Sequence, residues 1–397
     1  MELTPKGEIE KRIERLQSHL RKEEVESCLI LQNVDLYYFS GTIQRSYLFV
    51  PDDGEPILMV QKDFDRAKQE SPIETILPID HPMEISEIMT DKRKGNLNRI
   101  GLEWDVLPVT QFKQLEKILP QSELVDISKV IKQVRMIKSP YEIGQMRQSA
   151  KILDEVFGFA KKVMKVGMTE IEVESYLIEF GRRRGHQGLT RMRAWNQDMV
   201  NASVLSGESG TVPTHLDVSV IGPGISPAYP QGSSYHLIEK DVPIQIDFSI
   251  AYNGYTTDGA RTYVIGSLPK KLEETYQVAQ ELRNEMEGMA KPGVLCSDIF
   301  HLCTRIVKEK GLEDYFIGTR KNQASFIGHG IGLEIDELPL LSHGFVQPLE
   351  IGMVFAFEPK FTFPKIGVVA LEDDYVVTEY GVERLTHAED NIIVCEF

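Results

Sequence analysis

Cysteine is scarce in this chain: four thiols in 397 residues, Cys28, Cys296, Cys303 and Cys395, and no CxxC pair among them. That spacing excludes a disulfide-dense secreted scaffold and makes reduced thiols in a cytoplasmic compartment the expectation. Long apolar runs are missing as well. No uninterrupted apolar segment is long enough to cross a bilayer, and the opening MELTPKGEIEKRIERL lacks the apolar core of a secretory signal. Positive charge is in deficit, with 44 Lys+Arg against 60 Asp+Glu and a formal charge of −16 spread along the chain. Such a balance disfavours nucleic acid and anionic membrane as partners. The glycines of GESG before His215 lack the lysine and the strand–loop–helix setting of a phosphate loop. What remains is 42% hydrophobic and long enough for two substantial cores, so a globular chain of more than one domain is expected.

The opening segment alternates helix and strand signals. Ile9, Ile13, Leu16 and Leu20 recur at helical spacing, and SCLILQ follows as a short strand. YLFVP and EPILMV flank Asp52, Asp53 and Gly54, which predicts a hairpin with a slightly long loop. NRIGLEWD reads as a further strand and PVTQFKQLEKIL as a further helix. The expectation is an α/β N-terminal domain over residues 1–128, without a local catalytic cluster, that shapes a substrate site or a dimer.

After Lys138 the character changes. Ser139, Pro140 and Glu142 form an N-cap, first-turn proline and capping box ahead of the stripe Met146, Ala150, Leu153, Phe157 and Ala160. Thr169 and Glu172 repeat that logic before Leu177 and Phe180. A helix after Pro269 and another carrying Ile299, Cys303 and Ile306 make a second pair. Strand-like hairpins follow each pair, and Gly167 and Gly293 occupy comparable places between the helices. Residues 129–397 therefore read as one α+β domain of two related halves with internal pseudo-twofold symmetry.

PIQIDFSIAYNGYTTDGARTYVIG carries the first chemistry. Asn253-Gly254 favours a two-residue turn, and the register that follows sets Tyr252 against Tyr255, Asp247 against Ala260 and Ser249 against Asp258. Asp247 and Asp258 then lie diagonally on one face, with Ile246, Phe248 and Ile250 on the other. Two carboxylates in an apolar sheet repel and lose solvation unless a cation joins them. Taken alone, the pair is equally compatible with a solvated sheet face. More donors shift the balance: His329 in GHGIG, Glu358 after MVFAF, and Glu372 after VVAL. Carboxylates with one imidazole suit divalent manganese, iron, cobalt or zinc.

With these motifs in hand, the chain resembles the creatinase/aminopeptidase P/methionine aminopeptidase superfamily, the pita-bread metallopeptidases, and is most similar to its Xaa-Pro peptidase branch. The resemblance covers nearly the whole chain: NVDLYYFSG near residue 33, VRMIKSPYEIGQMRQSA at 134–150, then IDFSIAYNGYTTDGART, GHGIG, FEP and LEDD in family order. It implies a creatinase-like N-terminal domain and a pita-bread catalytic domain. It further implies two divalent metal ions, manganese foremost with cobalt, iron or zinc as alternatives, held by Asp247, Asp258, His329, Glu358 and Glu372. In that resemblance Asp258 and Glu372 bridge the ions, the protein is a homodimer, and the partner is a short peptide or small-molecule substrate.

Catalytic roles follow from the same resemblance. His215 in VPTHLD matches a histidine beside the metals that binds substrate or protonates the departing nitrogen, and Glu358 accepts or shuttles the proton of water. The expected function is hydrolysis of Xaa-Pro dipeptides or removal of the N-terminal residue from short Xaa-Pro peptides. Two positions depart from the pattern. Asp336 stands seven residues after His329 where the resemblance calls for a second histidine, and Ala370 stands two before Glu372 where it calls for arginine. These losses motivate an alternative, a non-peptidase metalloenzyme acting on a small amide, amidine or sulfonium metabolite. A noncatalytic binding protein is a third class, but it implies eroded metal ligands and every ligand position is retained.

Other polar residues carry less. His343 is close in sequence and fits a solvated loop; Arg182, Arg183 and Arg184 around His186 fit a solvated helix end. His236 and His301 have no distinguishing context, and Tyr255 and Arg261 fit packing and an ordinary ion pair beside the acidic hairpin.

Overall fold

The computed structural model describes residues 2–93, 97–193 and 195–396. The chain divides into two compact units, Met1–Arg135 and Met136–Phe397, whereas the sequence motifs place the boundary after residue 128. The helix Ser128–Met136 accounts for the difference, because all of it but Met136 falls in the first unit.

The first unit runs α1 (Lys6–Lys22), β1 (Ser27–Ile30), α2 (Asn33–Ser40), β2 (Ser46–Pro51), β3 (Ile57–Val60), α3 (Phe64–Glu70), β4 (Thr75–Pro78), α4 (Glu84–Arg93), β5 (Arg99–Leu102), α5 (Val109–Ile118), β6 (Glu123–Asp126) and α6 (Ser128–Met136). Its six strands form one sheet in the order β4-β3-β2-β1-β5-β6, antiparallel through the β1–β2–β3 meander and parallel at both flanks. Leu29, Phe49, Ile57, Met59, Ile100 and Leu102 from the strands close a core with Leu115 and Ile118 of α5. Arg12 is fully buried, yet its guanidinium is occupied by Glu8 at 2.8 Å, the Tyr38 carbonyl at 2.8 Å and the Tyr38 ring at 4.2 Å. This buried charge serves the fold, since each donor has a structural partner.

The second unit opens with α7 (Pro140–Val163) and α8 (Glu170–Arg182), followed by β7 (Ala202–Ser206), β8 (Ile244–Phe248), β9 (Ile250–Tyr252), β10 (Tyr255–Thr257) and β11 (Ala260–Ile265). Then come α9 (Lys270–Met289), α10 (Cys296–Glu309), β12 (Phe326–Gly330), β13 (Glu337–Ser342), β14 (Val354–Phe357), β15 (Lys360–Phe363), β16 (Gly367–Ala370), β17 (Asp373–Val377), β18 (Val382–Arg384) and β19 (Ile393–Cys395). Both capping boxes form: the Glu142 amide donates to Ser139 Oγ at 3.2 Å, and the Glu172 amide donates to Thr169 Oγ1 at 3.3 Å. Each such cap stabilises its helix by about 1 kcal/mol.

Each helix pair covers a sheet. α7 and α8 lay Leu153, Val156, Phe157 and Leu177 on Val204, Ile246, Phe248 and Tyr263 of the β19-β11-β8-β7 sheet. α9 and α10 lay Ala279, Leu282, Ile299 and Cys303 on Ile327, Phe355, Phe357 and Tyr375 of the β13-β12-β14-β17-β18 sheet. The connections between paired helices turn on Gly167 and Gly293, at φ +88° and +91°, a conformation glycine adopts without steric cost. The two halves thus repeat one construction, which is the pseudo-twofold arrangement the motifs predict.

The acidic hairpin keeps its predicted register, with Tyr252 opposite Tyr255 and Asp247 opposite Ala260. It is interrupted, however: Ser249 and Asp258 fall outside the ladders, and the pairing splits into β9–β10 and β8–β11. The break follows from the partners these residues take instead, since the Ser249 amide donates to the Asn201 carbonyl and the Asp258 amide to the Asp374 carboxylate.

Candidate metal centre

The acidic and imidazole groups singled out in the sequence come from strands of both sheets. Asp247 lies on β8, Asp258 in the hairpin break, His329 on β12, Glu358 just after β14, and Glu372 between β16 and β17. Asp258, His329 and Glu372 each present a ligand atom within 4.8 Å of the other two, a spacing that one metal ion can span. His329 Nε2 lies 3.7 Å from Glu358 Oε1. The flanking glycines make this approach feasible. A Cβ on Gly328 would meet the Ala356 carbonyl at 2.4 Å, and one on Gly330 would meet Leu338 backbone at 2.1 Å, so β12 packs between β13 and β14 only as GHG.

A cation already stands among these carboxylates, and it is a side chain. The Lys360 ammonium, on a residue 3% exposed, lies 2.8 Å from Asp247 Oδ2, 3.0 Å from Glu358 Oε2 and 2.8 Å from Glu372 Oε2. Two-residue spacing puts Lys360 on the same strand face as Glu358, and the β15–β16 register sets it opposite Ala370. Sequence reasoning passed over Lys360. Its signal was a lysine at the head of the strand-like KFTF in EPKFTF, an expensive residue for a buried strand unless acids surround it.

The charges respond to one another. Burial works to lower the Lys360 pKa, but Asp247, Glu358 and Glu372 together carry it well above the ordinary lysine value. Burial works to raise Glu358, yet the Lys360 ammonium, His329 and the hydrogen bonds from Lys360 and Ser219 hold it below the usual carboxylate range. Asp258 and Glu372 go the other way: burial lifts both well above that range, Asp247 adds to it at Asp258, and Lys360 offsets it only in part. Four carboxylates about one ammonium are short of positive charge, and Asp258 and Glu372 carry the shortfall. Glu372 Oε2 also accepts no hydrogen bond, despite its contact with Lys360. A divalent ion at Asp258, His329 and Glu372 fits this donor set, because it satisfies a buried oxygen and neutralises the two strained carboxyls.

A supporting layer fixes the ligands. Asp374 Oδ2 accepts the Asp258 amide at 2.9 Å. Arg261, fully buried, donates to the Glu372 carbonyl at 2.6 Å and to Asp373 Oδ1 at 2.6 Å, and Thr386 donates to the same Asp373 oxygen at 2.7 Å. The expected ordinary ion pair of Arg261 is thus the inner strut of the site. Ser219 Oγ donates to Glu358 Oε2 at 2.9 Å. Asp373, Asp374 and Ser219 had no signal beyond the doubled acid of LEDD.

The remaining predicted residues lie apart from this cluster. His215 is exposed, its Nδ1 3.2 Å from Thr214 Oγ1, and it lines a cleft of about 240 Å³ whose wall includes Ser219. Asp336 faces the Arg193 amide, with its two oxygens at 2.9 and 3.1 Å. His343 pairs with His301 at 2.8 Å on the exposed side of α10. His186 is buried, accepting the Ala251 amide at Nδ1, and burial followed by the charge of Arg182 lowers its pKa to about 4. Arg182 caps the His186 carbonyl, Arg183 reaches Glu179 and Arg184 reaches Glu155, as a helix end would. Tyr255 is buried, its hydroxyl 3.4 Å from Glu142.

Comparison with known proteins agrees with the geometry. The profile of metallopeptidase family M24 matches residues 144–379, more than half of the chain. The chain belongs to metallopeptidase family M24. Its first unit matches the creatinase/prolidase N-terminal domain over residues 12–137, so this M24 chain pairs that domain with the pita-bread catalytic domain. An Xaa-Pro dipeptidase of Pyrococcus furiosus is 29% identical to it, over 97% of this chain and 100% of the relative. The prolidase structure from Pyrococcus horikoshii superposes with a TM-score of 0.80 at 25% identity, over 96% of this chain and 99% of that one. The Xaa-Pro dipeptidase structure from Bacillus anthracis gives 0.82 at 25% identity, over 97% and 99%. No helix among the described residues is long and apolar enough to cross a membrane.

Proposed function

We propose that this chain is a metal-dependent hydrolase that cleaves Xaa-Pro dipeptides or the N-terminal residue of short Xaa-Pro peptides. The observation that carries the reading is the convergence of Asp258, His329 and Glu372 within 4.8 Å, in an M24 chain that aligns end to end with an Xaa-Pro dipeptidase. Asp258, His329 and Glu372 would hold a divalent ion, which when bound would supply Lewis-acid chemistry toward water and a substrate carbonyl. Manganese is the foremost choice, with cobalt, iron and zinc as alternatives.

The chain's own residues divide the rest of the work. Glu358 takes the proton of the attacking water, oriented by Ser219 Oγ at 2.9 Å. The Lys360 ammonium beside it, 3.0 Å away, stabilises the carboxylate form and so makes it a weaker base than an isolated glutamate. His215, on the wall of the adjoining cleft, protonates the departing nitrogen. A proline on the leaving side suits such a site, since its nitrogen brings no N–H that a partner must satisfy. The protein acts as a cytoplasmic homodimer on short peptides.

Reconstitution with manganese, cobalt, iron or zinc and assay by mass spectrometry across a panel of Xaa-Pro dipeptides and tripeptides tests this. Release of the N-terminal residue is expected; silence across the panel with every ion contradicts it. The alternative of a small amide, amidine or sulfonium substrate rests on the departures at Asp336 and Ala370 alone, and the same assay run on small amides decides it.

A further inference from the structure

The centre gathers four carboxylates and an imidazole, yet these donors are not equally available. Asp258, His329 and Glu372 form one compact group. Asp247 does not belong to it: its Oδ2 faces the Lys360 ammonium at 2.8 Å and the Gln245 amide nitrogen at 3.3 Å. The same ammonium spans Glu358 at 3.0 Å and Glu372 at 2.8 Å, so it lies where Asp247 and Glu372 would have to share a second ion.

Resting on the metal-hydrolase reading above, we propose that this centre takes a single divalent ion at Asp258, His329 and Glu372, and that the Lys360 ammonium permanently occupies the place of the second.

The position of the ammonium leads there. With four carboxylates and the ammonium, one divalent ion leaves a sum of about −1 and two leave about +1, so it is the place the ammonium takes, 2.8 Å from Asp247 and from Glu372, that excludes the second ion. A second dication shared by Asp247 and Glu372 would have to stand against the ammonium that lies 2.8 Å from both, a repulsion that weak interior screening magnifies. The strand register fixes where the lysine starts: Lys360 is paired with the small Ala370 across β15–β16, and both residues are buried. Ala370, where the resemblance calls for an arginine, therefore lies opposite Lys360. Nor is this ammonium a free reagent. It lies within 3.0 Å of one oxygen each of Asp247, Glu358 and Glu372, although Glu372 Oε2 accepts no hydrogen bond from it. It acts as a fixed counter-charge that holds Asp247 and Glu358 in place.

The test counts ions. The full chain, stripped by chelator and re-equilibrated with excess Mn²⁺, is desalted, its manganese per chain is measured, and the frozen-solution EPR spectrum is recorded. The wild type is expected to hold one Mn²⁺ per chain with the spectrum of an isolated ion. Lys360→Gly is expected to hold two, with the signal of an exchange-coupled pair. Lys360→Arg, which keeps the charge, is expected to hold one. Lys360→Gln, close in size and uncharged, stands in for the glycine variant if that one does not fold. Two coupled ions in the wild type overturn the proposal, as does a neutral variant that still holds only one, and so does a wild type that holds none. The two readings separate cleanly: two ions with Xaa-Pro hydrolysis defeats the single-ion site alone, whereas one ion without any Xaa-Pro hydrolysis defeats the substrate reading alone.

Discussion

The backbone amide of Asp258 donates to the carboxylate of Asp374 at 2.9 Å, which ties the broken hairpin to the segment that carries Glu372. Asp374 is fully buried, and burial followed by the charges of Glu372 and Asp373 raises its carboxyl well above the ordinary value even though the Asp258 amide offsets this. Asp374→Ala strands that amide and should cost about 1–3 kcal/mol. Asp374→Asn keeps an acceptor without the charge and should cost less. Urea melts of both, read beside bound manganese, check the ordering.

Arg261 supports the site from behind. Its guanidinium serves Asp373 and the carbonyls of Glu372, Ala260, Ala388 and Glu389. Arg261→Met leaves the buried Asp373 with the Thr386 hydroxyl at 2.7 Å and, for charge, Arg283 and Arg384 at 3.6 and 3.8 Å, and should lower stability by roughly 3–5 kcal/mol. A loss below about 1 kcal/mol in chemical denaturation would show that the ion pair is dispensable.

Gly330→Ala is a small change in a place with no room for it. The added methyl would lie 2.1 Å from Leu338 backbone, so β12 and β13 must separate beside His329. Destabilisation of at least about 1–3 kcal/mol is expected, together with weaker ion retention. Gly344→Ala meets nothing within 4 Å and serves as the control.

His186 sets a pH dependence of stability. Folded, it titrates near 4, because burial and then Arg182 oppose its charge; unfolded, it titrates near 6.5. Between those values the unfolded chain binds the extra proton, so stability rises with pH across the window. The contribution is complete above pH 6.5 and is lost progressively as pH falls towards 4, by roughly 3 kcal/mol at most. His186→Gln should flatten that slope, as measured by urea midpoints at several pH values between 4 and 7.

Much of this arrangement could be read from residue order. The capping boxes at Ser139 and Thr169 act over one turn, and the Asn253-Gly254 turn fixes a register locally, so both follow from neighbours in the chain. The acidic groups were recognisable because each sits in an apolar setting that rejects an unpaired charge. Lys360 was harder, since its meaning depends on Asp247, which is 113 residues away and reaches it only through packing of the two halves. The same holds for Arg261 and Asp373, whose pairing spans 112 residues. Asp336 was legible as a departure, but its partner, the Arg193 amide, is a backbone group that leaves no trace in residue identity.

The most direct measurement is turnover of an Xaa-Pro dipeptide before chelation, after it, and after manganese is restored, for the wild type and for Asp258→Asn. Asp258→Asn keeps the shape of a ligand residue but removes its charge. Activity that disappears on chelation, returns with manganese in the wild type and does not return in the variant is the predicted result. Hydrolysis that continues at the same rate in metal-stripped protein would contradict the account.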